Sequence, residues 1–337
     1  MRNGNSKKAF IWLIAISITT LLLCPLIGII KLDLNDLLFR SDTLSAYVYW
    51  DLRLPRAFTA YLVGAGLAVA GVVFQALFRN VLATPFTLGV SSGAAFGASL
   101  AFKTGLAGTV LGIPGGMLWA FCGALGTILL VYLLGGRGRP GEQVSLLLAG
   151  VVISFFFSSL TLFVQYLSDF TELYQITHWL MGRLDMVSLR ALFILVPFVI
   201  GGVLCALWLS PELDLLTLGD ELALTRGVAL THVRLTLYVT VSLMIAAVVS
   251  LCGMIGFIGV VVPYICRAII GPRHYLLIPA AFLAGGSFLL ICDTLARSIM
   301  PPVEIPVGVV TALIGAPVFV WILLGPRARS KWAPSSW

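Results

Sequence analysis

The sequence predicts an all-α integral membrane protein: about ten transmembrane helices, both termini cytoplasmic, and a short cytoplasmic hairpin at about 210–232. Three observations predict it. Of the 337 residues, 60% are hydrophobic and 10% charged, with a mean hydropathy of +1.06, against roughly 25% charged in globular chains. The apolar runs are continuous over near-spanning lengths, as spanning helices are, and not alternating, as barrel strands are. The charges between the runs are unequal from side to side.

The runs fall at 9–30, 57–78, 86–102, 113–134, 144–167, 191–209, 233–251, 256–270, 276–295 and 307–324. The first follows Lys7 and Lys8 as a secretory signal would, but it is long enough to span and lacks a small-x-small cleavage site, so it reads as a retained anchor. The third and eighth are short and glycine-rich, which suits broken or re-entrant segments. With the N-terminus inside, alternation puts thirteen basic and five acidic residues inside, against eight basic and nine acidic outside. The basic excess supports both termini inside, and the C-terminal cluster Arg327, Arg329 and Lys331 agrees with the N-terminal one. The chain reads as a single multi-pass membrane domain, 1–337.

Between the first two runs, an external loop ends in WDLRLPRAF, where Arg53 and Arg56 stand one helical turn apart at the mouth of a span. Either Asp51 and lipid headgroups satisfy them, or they form a basic contact for an acidic partner from outside. Gly64, Ala68 and Gly71 in the second run are spaced for close helix packing, and Gln75 is its one strongly polar interior residue, suited to an interhelical hydrogen bond. Gly89, Ser91, Ser92, Gly93 and Gly97 either pack tightly or line a cavity.

The turn GGRGRPGEQ resembles a phosphate loop only in its glycines, and no Gly-Lys-Ser/Thr ending follows it. TELYQITHWLMGRLD reads as an amphipathic helix at the outer surface, with Trp179 as an interfacial anchor. His178, His232 and His274 read as isolated, so no metal site is expected. The six cysteines, one per run without Cys-x-x-Cys spacing, suit small buried apolar residues. Prolines at 263, 279, 301, 302, 306 and 317 predict broken or kinked helices in the last third, where Asp293 and Arg297 have i,i+4 spacing and Arg297 joins the outer arginines.

The most polar interior stretch is SPELDLLTLGDELALTRGVALTHV. Ser210 suits an N-cap with Pro211 behind it, Gly219 a break, Asp220 a second cap and Gly227 a stop: two short helices joined at a glycine. Leu213, Leu216, Leu218, Leu222 and Ala223 give the hairpin an apolar side, which packs either on neighbouring helix ends or on a soluble partner.

RLPR at 53–56, GAGLAVAG at 64–71, QALFRNVLATPFTLGVSSGAAFGA at 75–98, WLMGRL at 179–184, LGDELALTRGV at 218–228, GFIGVVVPYICR at 256–267, DTLAR at 293–297 and EIPVGVVTALIGAPVFVWIL at 304–323 resemble the permease subunits of FecCD-type (type II) ATP-binding-cassette importers for iron-siderophores, haem and cobalamin. The resemblance covers nearly the whole chain and implies a bacterial or archaeal cytoplasmic membrane. It implies that Leu218, Gly219, Glu221, Ala223 and Gly227 contact an ATPase subunit, with Arg226 departing from the leucine the family more often carries there. It implies that Arg53, Arg56 and Arg297 meet acidic residues of an extracytoplasmic substrate-binding protein. Two permease copies, or this chain and a close relative, would flank a path lined largely by the fifth and tenth runs.

Two ATPase subunits would carry ATP and magnesium; this chain would bind no cofactor, metal or nucleic acid and touch only lipid and its protein partners. An ion-coupled secondary transporter is the rival, since broken glycine-rich helices suit one. Carriers of that class usually need ionisable groups at depth, and here there are almost none away from helix ends. No nucleophile–base pair, carboxylate dyad or metal spacing lies inside the runs, which argues against a membrane enzyme and leaves no catalytic residue to name.

Overall fold

The computed structural model describes residues 2–28, 43–110, 113–135, 142–184 and 189–324. Helix α1 (Arg2–Leu23) runs into a 3₁₀ turn, Cys24–Leu26. It stops short of the expected 30 because Pro25 brings no N–H and crowds the carbonyl four residues back. A short helix α2 (Leu44–Tyr47), capped by the Thr43 hydroxyl, continues through a π-helical stretch (Val48–Arg53) into α3 (Leu54–Phe78).

Helix α3 is the axis of the molecule, with almost every residue beyond Ala57 buried. Its small residues are the reason. Gly64 lies against the backbone of Gly285 in α13 (His274–Ser298), and Gly71 against that of Gly259 in α12 (Ile258–Ile270). A Cβ at either position would run into the opposing carbonyl, so the backbones meet without side chains between them and gain dispersion contact where lipid offers no hydrophobic drive. The Gln75 amide donates to the carbonyls of Val81 (3.0 Å) and Gly259 (3.4 Å), the interhelical role its position suggests.

Helix α4 (Val90–Lys103) begins four residues later than expected, after Pro85 and a left-handed Gly89. At 14 residues it is about 21 Å long, too short for a hydrocarbon core of roughly 30 Å. Along its glycines it packs tightly: Gly93 and Gly97 press on Gly123, Thr127 and Trp119 of α5 (Gly115–Gly135). A two-residue antiparallel ladder pairs Thr109 with Pro114 ahead of α5.

The remaining helices are α6 (Glu142–Tyr166), α7 (Phe170–Leu180), α8 (Leu189–Trp208), α9 (Ser210–Leu218), α10 (Asp220–Thr225), α11 (Leu230–Cys252) and α14 (Val307–Leu324). Every expected run contains a helix. Among the described residues, seven helical stretches are long and apolar enough to cross a bilayer, while α12 and the described part of α14 are shorter apolar helices. Pro263, Pro279 and Pro317 sit inside continuous helices, so none of them breaks its run. Cys24, Cys252, Cys266 and Cys292 are buried as expected, whereas Cys122 is exposed.

Charged side chains collect at two opposite ends of the α3–α13 pair. One end holds Arg53, Arg56, Asp293, Arg297 and Glu304; the other holds Arg79, Asp214, Asp220, Arg234 and His274. They are called the arginine end and the hairpin end below.

Candidate functional site

The hairpin end is built from two short helices held against the bundle. Helix α9 starts at Ser210 with Leu209, not Ser210, in the capping position, and it breaks at Gly219 (φ 133°). Helix α10 starts at Asp220, so this residue is not the cap the sequence suggests. Its carboxylate instead accepts from Arg234 Nη2 at 2.6 Å and from Arg79, whose Nε donates to the Leu216 carbonyl at 2.8 Å. Burial, and after it the nearby Arg234, push the Arg79 guanidinium below its ordinary pKa, and Asp220 supplies the negative charge this cationic pair requires.

His274 is not isolated: Asp214 Oδ1 accepts its backbone N–H at 2.9 Å and lies 2.6 Å from its ring Nδ1. The hairpin ends as the glycine suggests. Gly227 (φ 80°) donates to Leu224 O, and Val228 donates to Ala223 O, closing the last turn of α10 through a left-handed residue.

Burial divides the hairpin's apolar side chains into two sets. Leu213, Leu216 and Ala223 are buried, whereas Leu218, Leu222 and Leu224 are each more than half exposed. Of the residues expected to contact an ATPase, Leu218, Glu221 and Gly227 lie at the surface and Gly219 partly so, but Ala223 faces inward and touches nothing outside. It sits one residue from Leu222 on a 100° helical repeat, which turns it into the bundle while Leu222 and Leu224 point out. Leu224, which the sequence reading did not name, is exposed beside Leu218 and Leu222.

At the arginine end, the structure brings Arg53, Arg56 and Arg297 together but does not expose them as a rim. Arg56 donates to Asp293 Oδ1 through Nε (3.0 Å) and Nη2 (2.9 Å), and to Glu304 through Nη1 (2.8 Å). Arg297 donates to the carbonyls of Ile27 (2.7 Å) and Cys24 (2.8 Å), and its Nε stands 3.5 Å from Asp293 Oδ2, the expected i,i+4 pair. Arg53 reaches the carbonyls of Pro25 and Leu26 at 3.4 and 3.3 Å.

Two of the three arginines therefore hold the carbonyls of the 3₁₀ turn that follows α1 and of Ile27 behind it, and Arg53 and Arg297 are buried in doing so. Asp51, offered by the sequence as their counter-charge, is exposed, and Asp293 and Glu304 take that place for Arg56. The distance in sequence, more than 230 residues, hides this pairing from local reading.

Beside the cluster opens a cavity of about 700 Å³, lined among others by Arg53, Arg56, Arg183, Arg297, Tyr174 and His178. Its outer wall is α7, which begins with a reciprocal cap: Asp169 accepts from the Glu172 N–H, and Glu172 accepts from the Asp169 N–H. Glu172 also takes Lys103 Nζ at 2.8 Å, and the Lys103 bond, then the Asp169 N–H, hold its carboxyl below the usual carboxylate range. Trp179 is not an interfacial anchor; it is 5% exposed and faces inward. The His178 ring stacks on Tyr174 and lies 3.5 Å from Arg183 Nη1.

A second, apolar cavity of about 520 Å³ runs along α14 between Met181, Met254, Gly308, Leu313 and Pro317. Among the described residues, no three His, Cys, Asp or Glu side chains group as metal ligands. Residues 136–141 of the GGRGRPGEQ turn (135–143) and the basic cluster Arg327, Arg329 and Lys331 lie outside the described residues.

Residues 11–325 match the model of the FecCD transport family. The chain is 37% identical over 284 residues to the hemin transport system permease protein HmuU of Yersinia pestis, covering 84% of this chain and 85% of that protein. It is 39% identical over 282 residues to the vitamin B12 import system permease protein BtuC of Klebsiella pneumoniae, covering 83% of each. Among solved structures, a metal-chelate type ABC transporter in an inward-facing conformation superposes with a TM-score of 0.83 at 34% identity, covering 94% of this chain and 98% of that one.

Proposed function

Since the chain belongs to the FecCD transport family, we propose that it is the membrane-spanning permease subunit of an ATP-driven importer, moving a metal chelate from an extracytoplasmic binding protein into the cytoplasm. The observation that carries this reading is the hairpin. Leu218, Leu222 and Leu224 are exposed on a segment whose opposite side is fastened to α3 and α13. An apolar ridge outside the membrane-spanning helices, held rigidly from behind, is what a soluble ATPase subunit can seat on. The chain itself carries no ATP-binding loop, so ATP and magnesium belong to two such subunits.

The working unit pairs this chain with a second copy or a close relative in a cytoplasmic membrane. The exposed apolar faces of α6 (Val152, Phe155, Phe163) and α14 (Leu313, Trp321) are available to lipid, to that second copy and to a shared path. The binding protein docks at the arginine end, where Arg56 alone of the three arginines keeps a partly open side chain beside the 700 Å³ cavity. The cargo is a metal chelate: an iron-siderophore, haem or cobalamin. Relatives named for hemin and for vitamin B12 stand at nearly equal identity, which supports cargo choice by the binding protein over choice by this subunit.

Proteoliposomes holding the permease with its ATPase and a cargo-loaded binding protein test the proposal. ATP-dependent chelate uptake is expected. Leu218→Asp with Leu222→Asp should release the ATPase by about 30-fold or more, as loss of an interface anchor does, at unchanged helical content. Uptake by the permease alone, driven by a proton or sodium gradient, would instead identify an ion-coupled carrier.

A further inference from the structure

Helices α3 and α13 both run the length of the bundle, antiparallel, and each carries a polar clamp at each end. At the hairpin end, Arg79 at the foot of α3 holds Leu216 O and Asp220, while His274, the first residue of α13, holds Asp214. At the arginine end, Arg56 of α3 holds Asp293 of α13, 19 residues along the same helix from His274. The two helices are therefore tied to each other at one end, and to the hairpin at the other. Between the ends they cannot slide independently, because a Cβ at Gly64 or Gly285 already strikes the opposing helix and Gly286 abuts the ring of Tyr61.

The Asp214–His274 contact is unlike an ordinary surface pair. Arg273, in the capping position of α13, offers no side-chain cap, so the cap of this 25-residue helix comes from another element: a carboxylate of the hairpin. That carboxylate satisfies an otherwise orphaned N–H and places negative charge at the positive end of the helix dipole. The same oxygen fixes the imidazole. His274 is 2% exposed and its Nε2 has no hydrogen-bond partner among the described residues, so Asp214 sets the orientation of the ring.

We propose that Asp214 and His274 are positioning residues: a latch that fixes the hairpin to α13, so that the joined α3–α13 pair acts as a strut carrying displacement between the hairpin and the arginine end. This rests on reading the hairpin as the ATPase contact. Cargo-loaded binding protein arriving at Arg56 and Glu304, and through Arg56 on the buried Asp293, would then change the hairpin's position through a packed two-helix body, with no need for a flexible relay.

The test uses the complete complex in proteoliposomes and compares Asp214→Ala, His274→Ala, their double variant and Asp214→Asn, which keeps an acceptor oxygen. Stimulation of ATP hydrolysis by loaded binding protein, and uptake per ATP, should fall by about tenfold in either alanine variant, within the usual range of coupling between sites. ATPase co-purification and unstimulated hydrolysis should change less than about twofold. The double variant should be no worse than the singles, because one latch is lost once, and Asp214→Asn should restore most of the stimulation.

Unchanged stimulation would overturn the latch, as would strictly additive losses. Equal losses of assembly, unstimulated hydrolysis and stimulation would reduce the pair to a structural contact and sink the proposal too. If Leu218→Asp with Leu222→Asp leaves the ATPase bound, the hairpin reading itself fails and the latch falls with it. Release of the ATPase by that variant, together with normal stimulation in Asp214→Ala, refutes only the latch.

Discussion

At the arginine end, Arg53, Arg56 and Arg297 turn their charge inward, onto Asp293, Glu304 and the carbonyls of the turn that follows α1. At the hairpin end, Arg79 and Arg234 turn inward onto Asp220 in the same way, but Leu218, Leu222 and Leu224 are left facing out. The difference separates two signals that look alike in a sequence. Arginines at a span's mouth are a poor marker of a docking surface, since helix ends present unsatisfied carbonyls that arginines satisfy. Exposed leucines on a segment fastened from behind are a better one, because among the described residues nothing covers them. Each end is a clamp, and at the hairpin end the exposed leucines stand on the outer side of the clamped segment.

The largest effect should follow from removing the shared acid. Asp293 is 1% exposed, so Asp293→Ala leaves Arg56 and Arg297 without the carboxylate charge they share and should cost about 3–5 kcal/mol. The equivalent change at the other end, Asp220→Ala, removes a carboxylate whose side chain is 41% exposed and should cost about 1 kcal/mol or less. Thermal unfolding of the two variants in detergent measures the gap. Equal losses would mean that the two ends are built alike and that the burial contrast has no energetic content. The same burial warns that Arg53→Glu would disturb folding before it reported on docking, since Arg53 is a helix cap as well as a cation.

The next effect is local. Gly227 adopts φ 80° with open space around its α-carbon, so valine there meets no steric neighbour but must occupy a backbone region that β-branched residues avoid, at about 1–3 kcal/mol. Gly227→Val should distort the end of α10 and abolish substrate-stimulated ATP hydrolysis, while insertion and pairing of the membrane helices persist. A variant with wild-type stimulation would make the hairpin a solvated loop and direct attention to the turn around Arg79.

Helix positions were legible because apolar periodicity and length are local properties, and the small residues at Gly64, Ala68 and Gly71 announced a close seam before its partner was known. What was not legible was pairing across the chain. Arg56 finds Asp293 more than 230 residues away and His274 finds Asp214 sixty residues away, and no spacing rule connects them. Direction was the other loss. Trp179 and Ala223 lie on helices correctly anticipated, yet both face inward, because which side of a short amphipathic helix is covered depends on its neighbours. Leu224 went unnoticed for the same reason.

The smallest effect belongs to the arginine end and tests whether its wall can move without the rest. Glu172 caps α7 and accepts Lys103 from α4, and its carboxyl is held below the usual range first by the Lys103 bond and then by the Asp169 N–H. Since the folded-state pKa is depressed, this stabilisation is fully present above the unfolded value and is lost as pH falls through the folded value. At neutral pH, wild type should keep α7 protected from hydrogen exchange, and protection corrected for intrinsic rates should decline below the ordinary carboxylate range. Glu172→Gln should show weakened protection across 170–180 at neutral pH and no such decline, while protection across 210–228 stays unchanged. A parallel loss at the hairpin would mean that α7 is mechanically continuous with the strut, and the two ends could then no longer be treated as separable clamps.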